Sequence, residues 1–536
     1  MKLTITAFLL FSWITFPLLA QEKTVEGKVT GAEDGQAVIG ATVMQEGTTR
    51  GTITDVQGEF QMEAPVGATI VVSFVGMEQH SFKVGEQDYY EIVLSAETEE
   101  LDEVVVIGYG TRKKRDIIGS VSSVTSDELG RTPTASFTEA LQGKAAGVQV
   151  STSSGVPGAP TTVRIRGNSS ISINTSPLWI IDGMPVYSGG GLERTIGSTG
   201  QDPMSMINMN DIESIQVLKD AEATSIYGSR GSNGVIIVTT KRGEQGRSTT
   251  SVNIKSGIIQ LGKQPEEIGF ANTREWLTLV DSARANSGLP PFIPFDIYKF
   301  FKDDPLAEIT REEAELVNID WFDQILRTGY YQDINISSSR GTEKSSHYIS
   351  LNYNNTEGNP MKNFFKRFSA RANVDFNPLE NLTMGSRINL TYTNNNRVQQ
   401  QVGGATGNNS GGANAGFGNA NRVALPWMPI YNPGHPSGYW NPMSGANLVA
   451  SMDPDNHFDE VDAYRVLGNL FAEYNVPFIK GLRIRSEAGV DFIQNNSVFW
   501  VSDVIREDGS FAADRAVTRR GFNYNVYANY NRTFAE

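Results

Sequence analysis

Few side chains in this sequence are spaced for catalysis or for metal binding. The chain contains no cysteine, which excludes disulfides, thiolate metal sites and cysteine nucleophiles. No HExxH segment and no nucleophile–base or carboxylate pair stands out. The histidines are scattered, without a pair at helical metal-ligand spacing: His80, His347, His435 and His457. We therefore predict that the protein is not an enzyme and holds neither a metal nor a cofactor.

A glycine-rich segment, SIYGSRGSNG at residues 225–234, has the composition of a phosphate-binding loop. Its glycines are not followed by lysine and then serine or threonine, so a Walker-type nucleotide site is not predicted. The net charge of −15 argues against a nucleic acid partner, which requires a basic surface to displace counterions.

The segment EVVVIGYG could bind another protein through its backbone. Four consecutive β-branched residues, Val104 to Ile107, follow an acidic linker at 97–103 and precede the basic run TRKKR. Such a strand can add to the sheet edge of another protein, with main-chain hydrogen bonds supplying the affinity. The alternative is that this strand packs on the domain that precedes it, and the pattern alone leaves both open.

The N-terminus is typical of a secreted protein. Lys2 is followed by a mostly apolar stretch from Leu3 to Leu19, and Ala20 is a small residue at a plausible cleavage point. No other stretch is apolar enough for a transmembrane helix. A membrane location would therefore require a β-barrel.

Residues 24–96 contain short alternating runs separated by glycine turns, which predicts a small β-sandwich. The segment GTITDVQGEF is expected to turn at Asp55 and Gly58, because aspartate caps its own backbone and glycine accepts positive φ. The pattern resembles the carboxypeptidase-regulatory-like domain, and this resemblance implies no peptidase chemistry.

Residues 111–242 mix strand and helix signals, which predicts an α+β domain. In TTVRIRG, Val163 and Ile165 share one face and Arg164 and Arg166 share the other. PLWIIDGMPV is expected to be a hairpin whose Asp182-Gly183 pair forms a type I′ turn.

From about residue 250 the sequence alternates between apolar and polar residues, as in FSARANVDF and LTMGSRINLTYT. One apolar and one polar face per strand is typical of a transmembrane barrel with a polar lumen. The connections between strands alternate between long and short, as in outer-membrane barrels. Eight strands are predicted, near 251–260, 332–340, 345–354, 366–376, 382–393, 463–474, 482–492 and 521–534.

The long connections carry the remaining candidate contacts. Residues 261–331 are expected to hold two helices, one of them opened by a capping box of Thr310 and Glu313. Residues 394–462 are rich in glycine, asparagine and aromatic residues. Exposed aromatic rings suit stacking on sugars, whereas the alternative is that they fix the loop to the barrel rim. The candidate ligand contacts are Trp427, Tyr431, Tyr439 and Trp440.

The order of these segments resembles the SusC/RagA-type TonB-dependent outer-membrane transporters, over essentially the whole chain. The plug motifs that carry the resemblance are RIRG, the DG turn and the YGSRG loop, with Arg164, Arg166, Gly167, Asp182, Gly183, Tyr227, Gly228, Arg230 and Gly231. In that family the strand near residue 105 looks like the TonB box, here Asp102, Glu103, Val104, Val105, Val106, Ile107, Gly108, Tyr109 and Gly110.

The resemblance implies a plug inside a barrel of about 22 strands, energy relayed by TonB, and a SusD-like surface lipoprotein as partner. It implies an outer-membrane protein in contact with lipid, with its N-terminal domain in the periplasm. The implied ligand is an oligosaccharide, with a peptide as the alternative. A surface receptor or adhesin that does not transport is the alternative function.

The predicted fold is mainly β: a small β-sandwich, then an α+β plug domain, then an antiparallel transmembrane β-barrel. About eight strands of an expected 22 suggest a fragment of a longer protein or a truncated product. The predicted divisions are a signal peptide at 1–20, the sandwich at 21–96, the linker and TonB box at 97–111, the plug at 112–245 and the barrel at 246–536.

Two structural expectations follow from these assignments. The barrel strands should form an open, curved sheet with Phe368, Val374 and Leu390 on its convex, lipid-facing side. The strand from Val104 to Ile107 should be extended and without a strand partner, because its backbone is meant to pair with another chain.

Overall fold

The computed structural model describes residues 22–32, 35–48, 50–74, 77–95, 104–107, 110–113, 121–130, 134, 136–152, 154–167, 175–188, 200–262, 269–294, 309–396, 424–440, 447–505 and 509–532. The predicted signal peptide, the acidic linker with Asp102 and Glu103, and Gly108 and Tyr109 lie outside these residues. The chain divides into two compact units, residues 1–103 and 104–536.

The first unit consists of two small sheets, with strand orders β4-β1-β7 and β3-β2-β5-β6. Its strands are β1 (Glu22–Gly31), β2 (Thr42–Gln45), β3 (Gly51–Ile53), β4 (Glu59–Pro65), β5 (Thr69–Ser73), β6 (His80–Lys83) and β7 (Tyr89–Leu94). Alternate apolar residues from both sheets, including Val29, Val43 and Ile92, form one buried core. The predicted turn is present: the Asp55 carboxylate accepts the Glu59 N–H at 2.8 Å, and Gly58 has φ +77°.

The second unit begins with a two-stranded hairpin, β8 (Val104–Ile107) and β9 (Gly110–Lys113). The prediction that the strand from Val104 to Ile107 has no strand partner is therefore wrong. The following segment returns and pairs with it, because two short extended runs separated by two residues can close a local hairpin.

A mixed α+β domain follows, and its main sheet has the order β10-β15-β16-β13-β14. The strands are β10 (Val121–Thr125), β11 (Val148–Thr152), β12 (Thr161–Ile165), β13 (Leu178–Ile181), β14 (Met184–Pro185), β15 (Ile212–Leu218) and β16 (Val235–Thr240). Strands β11 and β12 form a separate hairpin. Three short helices, α1 (Ser126–Gly130), α2 (Phe137–Ala140) and α3 (Ala221–Thr224), accompany the 3₁₀ turns Pro203–Met206, Met209–Asp211 and Ser225–Gly231. This domain corresponds to the predicted plug.

The remaining strands form one eight-stranded antiparallel sheet in chain order, which we call the barrel sheet. They are β17 (Ser248–Ile259), β18 (Gly329–Gly341), β19 (Ser345–Glu357), β20 (Phe364–Leu379), β21 (Leu382–Asn396), β22 (His457–Asn475), β23 (Leu482–Val501) and β24 (Phe511–Tyr530). All eight predicted strands are present, and the mainly β architecture with a partial barrel is confirmed.

The connections differ in length at the two ends of the barrel sheet. Residues 342–344, 380–381 and 476–481 connect strands at one end, and 260–328, 358–363, 397–456 and 502–510 connect them at the other. The last connection is shorter than predicted, because β23 and β24 continue beyond their apolar cores as polar but still alternating strands.

In the barrel sheet the apolar side chains are exposed and the polar side chains are buried, which is the reverse of the arrangement in a soluble domain. Phe368 and Leu390 are about half exposed, whereas Arg371 and Asn389 are almost completely buried. Val374 lies on the face of Phe368 and is half-buried. The expected outward position of these apolar residues is confirmed, and the buried polar face is the one turned to the plug.

Aromatic rings on the apolar face form a row across four neighbouring strands. Tyr353, Phe368, Tyr392 and Tyr464 are direct cross-strand neighbours, with ring centroids 4.7, 6.5 and 5.0 Å apart. Aromatic girdles flank the apolar band of outer-membrane barrels, and this row has that composition. No helix among the described residues is long and apolar enough to cross a membrane.

The long connections pack together into a cap with its own core. Its helices are α4 (Thr273–Asn286), α5 (Arg311–Leu316), α6 (Trp321–Ile325) and α7 (Leu448–Met452). The core contains Leu277, Phe292, Trp321, Trp427 and Trp440. The predicted capping box opens α5, since the Thr310 side chain accepts the Glu313 N–H and Glu313 returns a bond to Thr310.

Leu390→Arg should destabilise the protein in a bilayer by about 2–4 kcal/mol, because the charge would face lipid near the middle of β21. Leu279→Arg, at an exposed position of α4, is the matched control and should change the free energy of unfolding by less than about 0.5 kcal/mol. Urea unfolding in lipid vesicles measures both. Equal effects of the two substitutions would contradict a lipid-facing position for Leu390.

Candidate functional site

Three buried arginines on the polar face of the barrel sheet hold the plug, and we call them the arginine clamp: Arg367, Arg371 and Arg465. Each side chain is at most 3% exposed, so each must find its partners inside the protein. A buried guanidinium is tolerated only when carboxylates or carbonyls satisfy it. The plug supplies those acceptors for all three.

Arg465 joins the wall of the barrel sheet to two plug segments. Its Nε and Nη2 donate to the two carboxylate oxygens of Asp491, both at 2.9 Å, in a bidentate pair. Its Nη1 donates to the carbonyl of Pro203 at 2.7 Å. Asp491 also accepts the backbone N–H of Tyr187 at 3.0 Å. The pair therefore grips the plug on either side of residues 188–202.

Arg371 lies between two carboxylates of the plug. Its Nη1 is 3.3 Å from Asp182 Oδ2, and its Nε is 3.4 Å from Asp211 Oδ2. Asp211 accepts hydrogen bonds from Tyr348 and Ser350 of β19, at 3.0 and 2.5 Å. Two plug carboxylates from different segments thus share one cation of the barrel wall.

Asp182 also organises the plug itself. It has φ +49° and the following Gly183 has φ +86°, which confirms the predicted type I′ turn. Its carboxylate accepts the backbone N–H and the hydroxyl of Thr240, at 3.0 and 2.8 Å. The turn therefore fixes the end of β16 while it presents its charge to Arg371.

Arg367 grips the plug through its backbone. Its Nη1 donates to the carbonyls of Ser205 and Ile207, at 2.8 and 3.2 Å. Its Nη2 donates to Asn352 on the neighbouring strand at 3.1 Å. Together the clamp holds the segment 203–211 and the turn at Asp182.

Neutral amides extend the contact between the clamp residues. Gln201 exchanges hydrogen bonds with Thr393 and Asn395 of β21, and Asn208 donates to Asn335 of β18 at 2.9 Å. Asn210 donates to Asp333 at 2.8 Å. The interface is polar along its length, as the alternating strand pattern requires.

The tip of the Asp182 turn packs against a glycine of the barrel sheet. A Cβ at Gly489 of β23 would lie 2.4 Å from the sulfur of Met184, so a side chain at this position would displace the Met184 side chain. Asn469 of β22 donates to the carbonyl of Asp182 at 2.9 Å. The turn thus contacts β20, β22 and β23.

Glycines also allow a close approach of two backbone segments where the plug connects to the barrel sheet. A Cβ at Gly243 would lie 2.3 Å from the carbonyl of Arg340, and a Cβ at Gly341 would lie 2.3 Å from the carbonyl of Glu244. Gly246 donates to the carbonyl of Gly341 at 3.1 Å. The two backbones lie closer than any side chain would allow.

One further ionisable side chain, that of Glu139, lies inside the plug. Burial raises the pKa of Glu139 to about 7, and the negative charge of Asp202 adds to the effect. Asp202 accepts hydrogen bonds from Ser136 and Thr138 at 3.0 and 2.9 Å, and from the Met204 N–H at 2.9 Å. This network ties the start of α2 to the segment held by the clamp.

The remaining plug motifs stabilise turns and are not brought into one site. Arg166 has φ +57°, and its guanidinium is 2.5 Å from the carboxylate of Asp220. Arg164 is half-buried and Gly167 is exposed. Tyr227 packs on the apolar cluster that includes Leu178 and Val235.

The YGSRG loop needs its glycines for backbone reasons. Gly228 has φ +61°, and a Cβ at Gly231 would lie 2.9 Å from the carbonyl of Thr224. Arg230 is exposed. The loop is a compact turn between β15 and β16.

The aromatic candidates of the cap divide into two pairs. Trp427 and Trp440 are 0% and 4% exposed in the core of the cap, so neither ring can contact a ligand in this structure. Tyr431 is exposed, and its ring lies 5.7 Å from that of Tyr439. Tyr439 donates to Asp453 at 2.9 Å. The two tryptophans fix the loop, and the two tyrosines stay candidate ligand contacts.

The clamp was not predicted from the sequence. The alternation in FSARANVDF places Arg371 on the polar face of β20, but it does not show which polar residue carries a partner. Arg367, Arg465 and Asp491 occupy the same kind of inward position on β20, β22 and β23. Charged residues at inward positions are the signal that would have found them.

Two family models match the chain: the TonB-dependent receptor plug domain over residues 113–235 and the CarboxypepD_reg-like domain over residues 25–106. The TonB-dependent receptor SusC of Bacteroides thetaiotaomicron is 32% identical, with 97% of this chain and 49% of the relative aligned. The TonB-dependent receptor P26 of Formosa agariphila is 33% identical, with 95% and 47% aligned.

Among solved structures, the RagAB peptide importer in its open-open state matches with a TM-score of 0.64 and 25% identity. That alignment covers 81% of this chain and 47% of the solved chain. The chain spans about half the length of these relatives.

A domain that matches the plug model, seated on the polar face of a partial barrel, defines an outer-membrane TonB-dependent receptor. Within that class, which consists of receptors and not enzymes, the chain belongs to the SusC/RagA type, with an N-terminal CarboxypepD_reg-like domain. The resemblance stated from the sequence is confirmed.

Arg371→Met should destabilise the seated plug by about 3–5 kcal/mol, because Asp182 and Asp211 would stay buried without their cation. Adding Asp182→Asn should recover part of the loss. Arg327→Met removes a half-exposed pair with Glu357 and two long hydrogen bonds to the carbonyls of Gly358 and Asn363. It should cost less than Arg371→Met, because the groups it leaves behind stay accessible to water. Proteolysis of the plug at increasing urea concentrations measures the loss of stability in all three variants. A loss at Arg371 no larger than at Arg327 would show that the clamp does not hold the plug.

Glu139→Gln should stabilise the plug at pH 7.5 and flatten its pH dependence. The pKa of Glu139 is higher in the folded protein than in the unfolded chain, so folding favours its protonated form. Stability should therefore fall as the pH rises from about 4.5 to about 7. The urea midpoints of the wild-type protein and of Glu139→Gln, at pH 4.5 and at pH 7.5, measure this pH dependence. An unchanged pH dependence in the variant would exclude Glu139 as its source.

Proposed function

We propose that this receptor imports a large nutrient across the outer membrane with energy relayed by TonB. The observation that carries the proposal is the plug, held by buried polar contacts on the inward face of a sheet whose outward face is apolar. A closed lumen needs an energy input to open, and the plug family is named for its dependence on TonB.

The proposed coupling segment is the TonB box, Asp102 to Gly110. It precedes β10, which pairs with β15 at the edge of the plug sheet in the part of the chain that the structure describes. A pull from the periplasm would reach β10 before it reaches the clamped segment 182–211. Opening part of a domain costs less than unfolding all of it. The plug motifs and the clamp would then keep the rest of the plug in place.

The proposed partners are TonB in the periplasm and a SusD-like lipoprotein at the cell surface. The second follows from the similarity to the RagAB importer, whose structures contain a complex. The N-terminal domain would lie in the periplasm, and outer-membrane lipid would contact the apolar face that carries Phe368 and Leu390.

The ligand that we propose is an oligosaccharide, on the strength of the SusC resemblance. A peptide is the second candidate, because the similar solved RagAB structure is that of a peptide importer. Tyr431 and Tyr439 are aromatic residues of the cap that could contact either ligand. The buried lumen arginines Arg367, Arg371 and Arg465 are occupied by their contacts with the plug and do not select between the two ligands.

Deletion of residues 101–110 should abolish growth on the imported nutrient, while surface binding of that nutrient stays normal, because only the energy coupling is removed. Growth of a receptor-deficient strain on a panel of glycans and peptides identifies the nutrient first. Immunoblotting of outer membranes is the control for receptor level.

Two results would count against the proposal. Unimpaired growth of the receptor-deficient strain on every glycan and peptide would favour a receptor or adhesin that does not transport. Normal uptake by the variant without residues 101–110 would reduce that segment to a linker.

A further inference from the structure

A cavity of about 770 Å³ separates the plug from the cap end of β23 and β24, and we call it the cap-side cavity. Met184 and Tyr187 of the plug line it, together with Asp491 and Asn523 of the two strands. From Asp491, strand β23 continues to Val501, which packs with α7 of the cap. This cavity therefore lies on the side of the long connections.

A second cavity, of about 780 Å³, lies between the plug and the opposite end of the same strands, and we call it the turn-side cavity. Gly183 of the plug lines it, together with Glu487 of β23 and Asn529 of β24. It extends to Arg483, next to the short connection at 476–481. Short connections of outer-membrane barrels face the periplasm, so this cavity lies on the periplasmic side.

The two cavities meet where Met184 packs on Gly489. Asp491, Gly489 and Glu487 follow one another on the inward face of β23, and the first and last of them line the two cavities. The space above Gly489 is filled by the Met184 side chain, which is 2% exposed. Beside it, Asn525 of β24 donates to the Glu487 carboxylate at 3.1 Å. These contacts close the space between the cavities.

Met184 belongs to a weakly paired strand at the edge of the plug sheet. Strand β14 pairs with β13 through two residues, Met184 and Pro185. The backbone of Asp182 is followed at once by this strand, but its carboxylate is held by Arg371 on β20. Movement of β14 away from β23 therefore leaves the arginine clamp intact. The methionine side chain is flexible and adapts to such a movement.

We propose that the imported solute passes along the inner face of β23 and β24, from the cap-side cavity to the turn-side cavity, and that Met184 closes this passage until β14 leaves Gly489. The proposal rests on the proposed function and specifies where the receptor opens. The clamped segment 203–211 stays on the opposite wall while the solute passes.

The walls of the turn-side cavity indicate which solutes fit. They carry hydroxyl and amide side chains, among them Ser251, Asn253 and Ser337, which donate and accept hydrogen bonds. Charges of both signs are also present, as in Glu473 and Arg483. Cavities of about 300–1,000 Å³ enclose drug-sized ligands. The passage therefore suits a flexible, hydroxyl- or amide-rich chain of low net charge that moves through it segment by segment.

A disulfide between β14 and β23 tests the passage directly. A Cβ at Gly489 would lie 3.1 Å from Cγ of Met184, so the two Cβ atoms are within one bond length of that distance, in the range that a disulfide spans. The chain has no cysteine, so Met184→Cys with Gly489→Cys creates a single defined bond, which we call the gate lock. Import of the identified nutrient is measured before and after reduction.

A second disulfide, on the clamped side of the plug, is the matched control. A Cβ at Gly158 would lie 3.3 Å from Cγ of Phe365 on β20, and Gly158 accepts the Asp202 N–H at 3.1 Å. Gly158→Cys with Phe365→Cys therefore ties the clamped segment to its wall, and we call it the clamp lock. Gly158 has φ +71°, which strains a cysteine, so the oxidised form is compared with the reduced form of the same protein.

Oxidation of the gate lock should slow import by about tenfold or more, with recovery on reduction, because the closed gate then sets the rate of passage. The oxidised and reduced clamp lock should import at rates within about a factor of two, because that segment does not move. Loss of import in both oxidised proteins would overturn the proposal, since the plug would then move as a unit. Normal import by the oxidised gate lock would overturn it as well, because the solute would pass elsewhere.

Thiol labelling tests the same passage without a disulfide, and it is the measurement to use if the gate lock is poorly produced. Asn525→Cys should react with a membrane-impermeant maleimide about fivefold faster during import than at rest, because the gate is open for part of the cycle. Thr391→Cys, which contacts the carbonyl of Met206 on the clamped wall, is the control and should not change. An unchanged rate at residue 525 would overturn the proposal.

Failure of this proposal is distinct from failure of the proposed function. Normal uptake after deletion of residues 101–110 would refute coupling through that segment, whichever lock blocks import. Conversely, coupled import that the gate lock does not slow would leave the proposed function standing and remove the passage along β23 and β24.

Discussion

The burial of Arg371 between Asp182 and Asp211 is the interaction on which the rest of the plug contact depends. A cation that is 1% exposed is stable only beside its carboxylates, and these come from two distant segments of the plug. Asp182 must therefore sit in its left-handed turn, and Asp211 must end the segment that Arg367 and Arg465 hold. One ion triad thus aligns the turn, the 3₁₀ segment and the end of β16.

This arrangement suits the proposed function, in which the plug is both held and released. Buried ion pairs contribute specificity of geometry more than net stability, because the cost of removing charges from water offsets most of their attraction. A polar interface allows water to replace each lost hydrogen bond when a segment moves. The clamp therefore fixes the position of the plug and still allows a plug segment to separate from the barrel sheet.

The sequence predicted the architecture well because the barrel strands repeat one signal. Eight alternating runs, the DG turn and the capping box at Thr310 each depend on local spacing, and local spacing is what a sequence displays. The clamp was missed because it depends on which inward residue meets the plug, and that requires the register of β20 against β22 and β23. The same limit explains the cap, where Trp427 and Trp440 are buried by residues far along the chain. The hairpin β8–β9 was missed for another reason. The sequence analysis expected β8 to pair with another protein, so it predicted no partner strand within this chain.

The two faces of the barrel sheet have different partners: the apolar face lies towards lipid and the polar face contacts the plug. Photo-cross-linking from successive positions of β20 tests this directly, with a benzophenone amino acid at Phe368, Ser369, Ala370, Ala372 and Asn373 in outer membranes. We expect lipid adducts from 368, 370 and 372, and cross-links to plug residues 175–241 from 369 and 373. Lipid adducts at Ser369 and Asn373, or the same partner at all five positions, would contradict it.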